Sequence, residues 1–172
     1  MTPVRQIELV EVGPRDGLQN ESATLTTGAK LEFIRRALAA GTGRIEVASF
    51  VHPKKVPQMA DAEAILAALP RQAGVTRIGL VLNRKGYERG AAAGCDEIGM
   101  VVFATETFNQ RNQGASRSDS IRAWQEIAPL ARRAGNRAQV TISAAFGCPF
   151  EGEVDPAGVV ALAHELAAAD PV

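Results

Sequence analysis

Cysteine is scarce in this 172-residue chain: Cys95 and Cys148 stand far apart, outside any Cys-x-x-Cys spacing. That excludes a zinc ribbon and a disulfide framework, and two isolated thiols fit a reducing cytoplasm. Neither sign of charge is in excess, since 19 Lys plus Arg balance 19 Asp plus Glu. A net pull toward nucleic acid or an anionic membrane is therefore missing, and neither is expected as a partner. No apolar run reaches the ~20 residues of a membrane span. The N-terminus "MTPVRQIELVEV" has neither an apolar signal core nor an arginine-rich amphipathic presequence. Two glycine motifs are missing as well. After the first strand, where a dinucleotide site would carry Gly-x-Gly-x-x-Gly, the chain reads "GPRDGLQ", and no phosphate loop ending in Gly-Lys-Ser/Thr occurs.

What is present is a regular alternation, with close to half of the residues apolar. Strands are expected near 7–12, 44–50, 77–83, 97–104 and 138–146. Between them, "KLEFIRRALAAG" puts Leu31, Ile34 and Leu38 on one helical face, and further helices are predicted over 60–69 and 84–93. The polar stretch "NQRNQGASRSDS" leads into a helix over 119–134 carrying Ile121, Trp124, Ile127 and Leu130, with Pro129 predicting a kink. Asp155-Pro156 supplies an N-cap and a first-turn proline for a last helix with Val159, Leu162 and Leu166. Five βα units with near-continuous apolar strands mean a parallel sheet covered by helices, either doubly wound or curled into a barrel. The missing dinucleotide motif favours the barrel. The expectation is one α/β domain over 1–172, a partial (β/α)8 barrel of about five units.

In a barrel the C-terminal ends of the strands converge on one mouth. Those ends carry a polar set: Arg15 and Asp16, Glu46 and Ser49, Asn83, Thr105 and Glu106, and Ser143. Polar groups in apolar strands are costly to bury without partners, so their shared position argues for a site. Gly13 and Gly17 flank Arg15-Asp16 and are expected to permit unusual backbone angles there. The alternative for Arg15-Asp16 is a structural ion pair closing a turn. Glu46 reads equally as a site carboxylate or as the structural partner of an inward arginine, and Glu11 reads as structural. His52 and Lys54-Lys55 form either a solvated basic loop or mobile point charges for phosphates. Cys148 and His164 read as packing or surface residues.

The segments "VEVGPRDGLQNE", "IEVASFVHPKKVPQMAD", "LNRKGYERGAAAG" and "ISAAFGCPFEG", in this order over nearly the whole chain, resemble hydroxymethylglutaryl-CoA lyase. Arg-Asp-Gly alone would indicate only the wider group of metal-dependent aldolase-like barrels. The resemblance implies cleavage of 3-hydroxy-3-methylglutaryl-CoA to acetyl-CoA and acetoacetate with a divalent cation, Mg2+ or Mn2+. It implies Asp16 as a metal ligand, Arg15 as the charge stabiliser and Glu46 beside it, with Gln19, Ser49, Asn83 and Ser143 as substrate contacts. An acyl-CoA is the implied small-molecule partner. The family pattern continues with an Asp-bearing strand, a His-x-His pair, a catalytic cysteine loop and an asparagine, which this chain does not contain. Five units leave both sheet edges open, so either a fragment of a longer chain or an edge-paired dimer or other homo-oligomer is expected, with weak or no metal affinity and no lyase activity for this chain alone. Other readings are a lyase for a longer 3-hydroxyglutaryl-CoA analogue, a Claisen-type synthase of the same group, and a non-catalytic remnant acting through its open edges.

Overall fold

A computed structural model describes residues 7–169. Its centre is one five-stranded sheet in the order β1-β2-β3-β4-β5, every neighbouring pair parallel. The strands are β1 (Val10–Glu11), β2 (Arg44–Ser49), β3 (Thr76–Leu80), β4 (Glu97–Phe103) and β5 (Arg137–Ser143). Strand order equal to chain order is informative. Right-handed crossovers that always step the same way put every helix on one face, and a sheet covered on one face curls toward closure. A doubly wound sheet would reverse direction at an internal strand, and none does.

The helices are α1 (Thr27–Ala39), α2 (Ala62–Ala67), α3 (Arg84–Ala92), α4 (Glu106–Gln113), α5 (Arg117–Arg133) and α6 (Pro156–Ala167). Their apolar stripes meet the outer sheet face in one cluster that includes Ile34, Ile45, Val47, Ile65, Ile98, Val102, Trp124, Ile127 and Leu166. The Trp124 indole N–H is also satisfied there, donating to the Leu166 carbonyl at 2.8 Å. Side chains alternate across a strand, so Glu97, Gly99, Val101 and Phe103 of β4 take the inner face. They pair with Arg137, Gln139, Thr141 and Ser143 of β5. The inner face is where a barrel keeps its contents.

Several expected boundaries move, each for a local reason. The strand expected over 7–12 is ladder-paired only at Val10–Glu11. The third strand ends at Leu80 rather than 83, because Asn83 turns out to cap α3, its Oδ1 accepting the Gly86 N–H at 2.9 Å. The fifth ends at Ser143 rather than 146, because Ala144 adopts φ 58°, a left-handed conformation that stops a strand. The helix expected over 60–69 is a 3-10 turn, Pro57–Met59, followed by α2. Helix α4 occupies part of the stretch read as a polar connection. Its buried member is Asn109, which bonds the Phe103 N–H, the Ala115 carbonyl and the Ser120 hydroxyl, so no apolar period announces it. Helix α5 begins two residues earlier than expected, at a capping box between Ser116 and Asp119, and continues through Pro129. Among the described residues no helix is long and apolar enough to cross a membrane.

Candidate active site

At the C-terminal ends of the strands lies a cavity of about 950 Å3. Arg15, Asp16 and Gln19 line it from the segment after β1, Glu46 from β2, and His52 and Lys55 from the next loop. Asn83 and Ser143 reach it from after β3 and from the end of β5. Its remaining wall is largely apolar, with Leu80, Leu82, Met100, Phe103 and Phe108.

The centre of the site is Arg15. Residues Gly13–Gly17 form one wide helical turn with Pro14 in its second position, and the turn projects two consecutive side chains over the open strand ends. The Arg15 guanidinium donates from Nε to Glu46 Oε2 at 2.8 Å, approaches the same oxygen with Nη2 at 2.6 Å, and donates from Nη1 to Asp16 Oδ1 at 2.8 Å. A guanidinium has five N–H groups. Two of Arg15's therefore have no protein acceptor among the described residues, in a side chain still 15% exposed.

Glu46 is the buried member, its side chain 7% exposed. Burial pushes its carboxyl above the usual glutamate value, and the Arg15 charge opposes that rise without cancelling it. Gly99 lies beside it, and a Cβ there would meet Glu46 Oε1 at 3.5 Å and the Ile78 side chain at 3.4 Å, ordinary contact distances. The register of β2 against β3 slips between Glu46 and Ala48, an irregularity of the kind that re-aims side chains beside sites. Asp16 is more open, at 54% exposure.

Gly13 and Gly17 do not work as expected, because neither has a positive φ. Gly13 sits in crowded space instead. A Cβ there would lie 2.8 Å from Glu11 Oε1 and 3.1 Å from the Phe33 ring, while one at Gly17 would meet nothing within 4 Å. Glu11 spends its carboxylate on the Gly13 N–H at 2.6 Å, a structural use.

The remaining expected contacts are placed as follows. Ser49 is fully buried behind the wall and donates to Gln19 Oε1 at 3.0 Å, so it orients Gln19 from below. Asn83 reaches the cavity while capping α3. Ser143 lines the cavity directly. Thr105 donates to Cys148 Sγ at 3.1 Å and Glu106 accepts the Arg117 N–H at 3.0 Å, so both serve the loops around the mouth. His164 is exposed on α6. Sequence reasoning missed Gly99, Gln139 and Thr141. The last two were visible as period-two polarity in "RAQVTIS", which puts every second residue of β5 on the inner face.

The residues at hand fit a divalent cation incompletely. Asp16 can offer one carboxylate oxygen beyond the one held by Arg15, and Glu46 is engaged by Arg15. Among the described residues no group of three or more His, Cys, Asp or Glu is placed to hold a metal. Nor does any buried side-chain N or O among them lack a partner.

Comparison with known proteins bears on family and fold. The HMGL-like family model matches residues 6–172. The chain is 41% identical over 162 residues to the 3-hydroxy-3-isohexenylglutaryl-CoA/hydroxymethylglutaryl-CoA lyase of Pseudomonas aeruginosa, covering 94% of this chain and 54% of that one. To the mitochondrial hydroxymethylglutaryl-CoA lyase of Bos taurus it is 39% identical, over 94% of this chain and 50% of the relative. The crystal structure of the HMG-CoA lyase from Brucella melitensis superposes with a TM-score of 0.92 at 36% identity, covering 97% of this chain and 59% of that one. An HMG-CoA lyase solved with coenzyme A and 3-methylmalate superposes with a TM-score of 0.90 at 31% identity, over 94% and 53% of the two chains. The chain thus spans about half the length of the curated relatives it matches, and its curled parallel sheet is the corresponding half of their TIM barrel. It belongs to the HMGL-like family.

Proposed function

We propose that this chain contributes the N-terminal half of a carbon–carbon lyase site acting on 3-hydroxy-3-methylglutaryl-CoA. The observation that carries the reading is Arg15: a guanidinium locked by a buried carboxylate on one side, with two N–H groups left over at a cavity. The reaction removes the proton of a tertiary alcohol and breaks the adjacent carbon–carbon bond. The bonding pair passes into the thioester fragment as an enolate, the alcohol carbon becomes the ketone of acetoacetate, and protonation of the enolate gives acetyl-CoA. Negative charge accumulates on the thioester oxygen, which is where preorganised donors lower the barrier most.

In this reading Arg15 faces that oxygen and Glu46 holds its plane, so no reorganisation is needed as charge develops. Gln19, Ser143 and Asn83 hydrogen-bond the acyl portion, and Ser49 acts through Gln19. A divalent cation, Mg2+ or Mn2+, would polarise the alcohol when bound; Asp16 would be this chain's single ligand to it, and the other ligands would have to come from outside these residues. The open edges of β1 and β5 suit pairing with further strands, either of the same polypeptide or of a second copy. Two buried free thiols suit the cytoplasm.

The test is product analysis on a polypeptide that joins this sequence to the rest of the barrel. Supplied with 3-hydroxy-3-methylglutaryl-CoA, it should release acetoacetate and acetyl-CoA in equal amounts. Condensation of acetyl-CoA with a 2-oxo acid instead would establish the synthase reading and end this one. A second reading is favoured by the apolar wall of Leu82, Met100, Phe103 and Phe108: a longer 3-hydroxyglutaryl-CoA analogue with an alkenyl branch, as in the name of the Pseudomonas aeruginosa relative. A higher kcat/KM for the branched substrate would establish it.

A further inference from the structure

Two loops supply one side of the cavity. The first, after Gly17, brings Gln19 and Asn20 to the wall; the second, after Phe50, brings Val51, His52, Lys55 and Val56. Neither loop contains a strand, and of these six residues Asn20, His52 and Lys55 are exposed and the other three half-buried. Something has to hold them.

Beneath them sits Lys30, on the first turn of α1, which is 2% exposed despite carrying a charge. Its ammonium lies 2.6 Å from Asp61 Oδ1 and also donates to the Gln58 carbonyl. Thr27 Oγ1 donates to the other Asp61 oxygen at 2.7 Å. The Gln58 side-chain amide continues the chain of bonds, donating to the Glu21 carbonyl at 2.9 Å. One buried lysine therefore connects α1, the end of the second loop and, through Gln58, the first loop.

Asp61 makes the argument sharper. It occupies the N-cap position of α2, where aspartate ordinarily accepts the first free helix N–H groups, yet its side chain makes no capping bond. Both carboxylate oxygens go to Lys30 and Thr27. The local capping bond is passed over for a tertiary one, and burying an ammonium is tolerable only with such pairing.

We infer that Lys30, with Asp61 and Thr27, is a latch that fixes the two cavity loops, making Lys30 a positioning residue for whatever binds against Gln19, His52 and Lys55. The inference rests on the proposed lyase reading only for the identity of that ligand, taken as the coenzyme A portion of the substrate. A control for bulk stability exists at the other end of the sheet. Arg77 is 5% exposed, pairs with Asp96 at 2.7 Å and binds the Leu69 and Gly94 carbonyls, far from the mouth.

The experiment compares Lys30→Met, Asp61→Asn and Arg77→Met in the whole chain by amide hydrogen exchange and by calorimetric titration with coenzyme A. The latch predicts exchange accelerated at least about tenfold over 17–26 and 51–60 in the first two variants, with β2 to β5 unchanged. It predicts weaker coenzyme A binding in those two and not in Arg77→Met. Unchanged loop exchange in Lys30→Met overturns the latch, as does equal weakening of binding by Arg77→Met, which would mark Lys30 as merely structural. If Lys30→Met does not fold, Asp61→Asn and Thr27→Val decide, since each keeps the Lys30 bond to Gln58, and unaltered loop exchange in both overturns the latch. Absence of coenzyme A binding by the unaltered chain counts against the ligand assignment, while loop exchange still judges the latch.

Discussion

The two ends of the strands use the same chemical pair to opposite ends. At the mouth, Arg15 meets Glu46; at the N-terminal ends, Arg44 meets Glu97. Arg44 donates from Nε to Glu97 Oε2 at 3.1 Å, from Nη2 to Glu97 Oε1 and to Gln139 Oε1, and from Nη1 to Glu8 Oε2 at 2.8 Å. Hydrogen bonding to Glu97 holds its guanidinium above the ordinary arginine value, against the lowering by burial. Four of its N–H groups are spent on protein, against three for Arg15, and its carboxylate partner is 1% exposed. A buried arginine–carboxylate pair is thus not a site by itself. It becomes one where donors are left over beside an open cavity.

The sharpest way to break this comparison is to remove each arginine in turn from the complete enzyme. Arg15→Gln removes a transition-state donor, and kcat should fall by about 100-fold or more. Its effect on folding should be smaller, because Glu46, already shifted upward, can take up a proton when its partner is lost. Arg44→Met leaves Glu97 buried without its main partner. That should cost about 3 to 5 kcal/mol, or a Tm lower by roughly 10 °C for a chain of this size, with kcat per folded molecule unaltered. Normal turnover in Arg15→Gln, or lost turnover at unchanged Tm in Arg44→Met, would reverse the two roles.

A smaller effect separates the ends by pH. The folded-state pKa of Glu46 lies above its unfolded value, so ionising it costs the folded state. That cost is absent at low pH, appears as pH rises through the ordinary glutamate value, and is complete above the raised one. Glu46→Gln should therefore remove a decline in stability over that window. In turnover the sign is opposite: the Arg15 anchor needs the carboxylate, so activity should fall as pH drops through the raised value. Denaturant melts and kcat/KM profiles of the variant check both, and an acid limb unchanged in Glu46→Gln would separate Glu46 from the chemistry.

The comparison also shows what could be read from sequence. The mouth was legible because Arg15 and Asp16 follow the first strand and Glu46 interrupts an apolar one, and because five βα alternations permit few topologies. The lower end was not, since nothing local to Arg44 says that its partners lie 53 and 95 residues away. Gly99 escaped notice for a similar reason: its neighbour Glu46 lies on the next strand but one. Helix α4 hid because its packing face is hydrogen-bonded through Asn109 rather than apolar. At Gly13 the sequence suggests backbone freedom, whereas the structure shows crowding by the nearby Glu11 and by the Phe33 ring, the latter arising only once α1 has packed.

The smallest predicted effect concerns the two thiols, which fall on opposite sides of the same divide. Cys95, before β4, is fully buried, and desolvation pushes its thiol up to about 12. Cys148, in the loop after β5, is raised by burial, but hydrogen bonds from Thr105 and from the Phe150 and Glu151 N–H groups outweigh this and leave it below the ordinary thiol value. Reactivity follows the thiolate fraction and access. Both thiols are buried, Cys95 at 0% and Cys148 at 6% exposure, so a thiol reagent at pH 8 should modify the native chain slowly and Cys148 before Cys95, as peptide mapping after a timed quench would show. Labelling of Cys95 first would mean that the N-terminal end opens more readily than the mouth. The arginine-anchored layer beneath the sheet would then not be the rigid floor on which Arg15 and Glu46 are aligned.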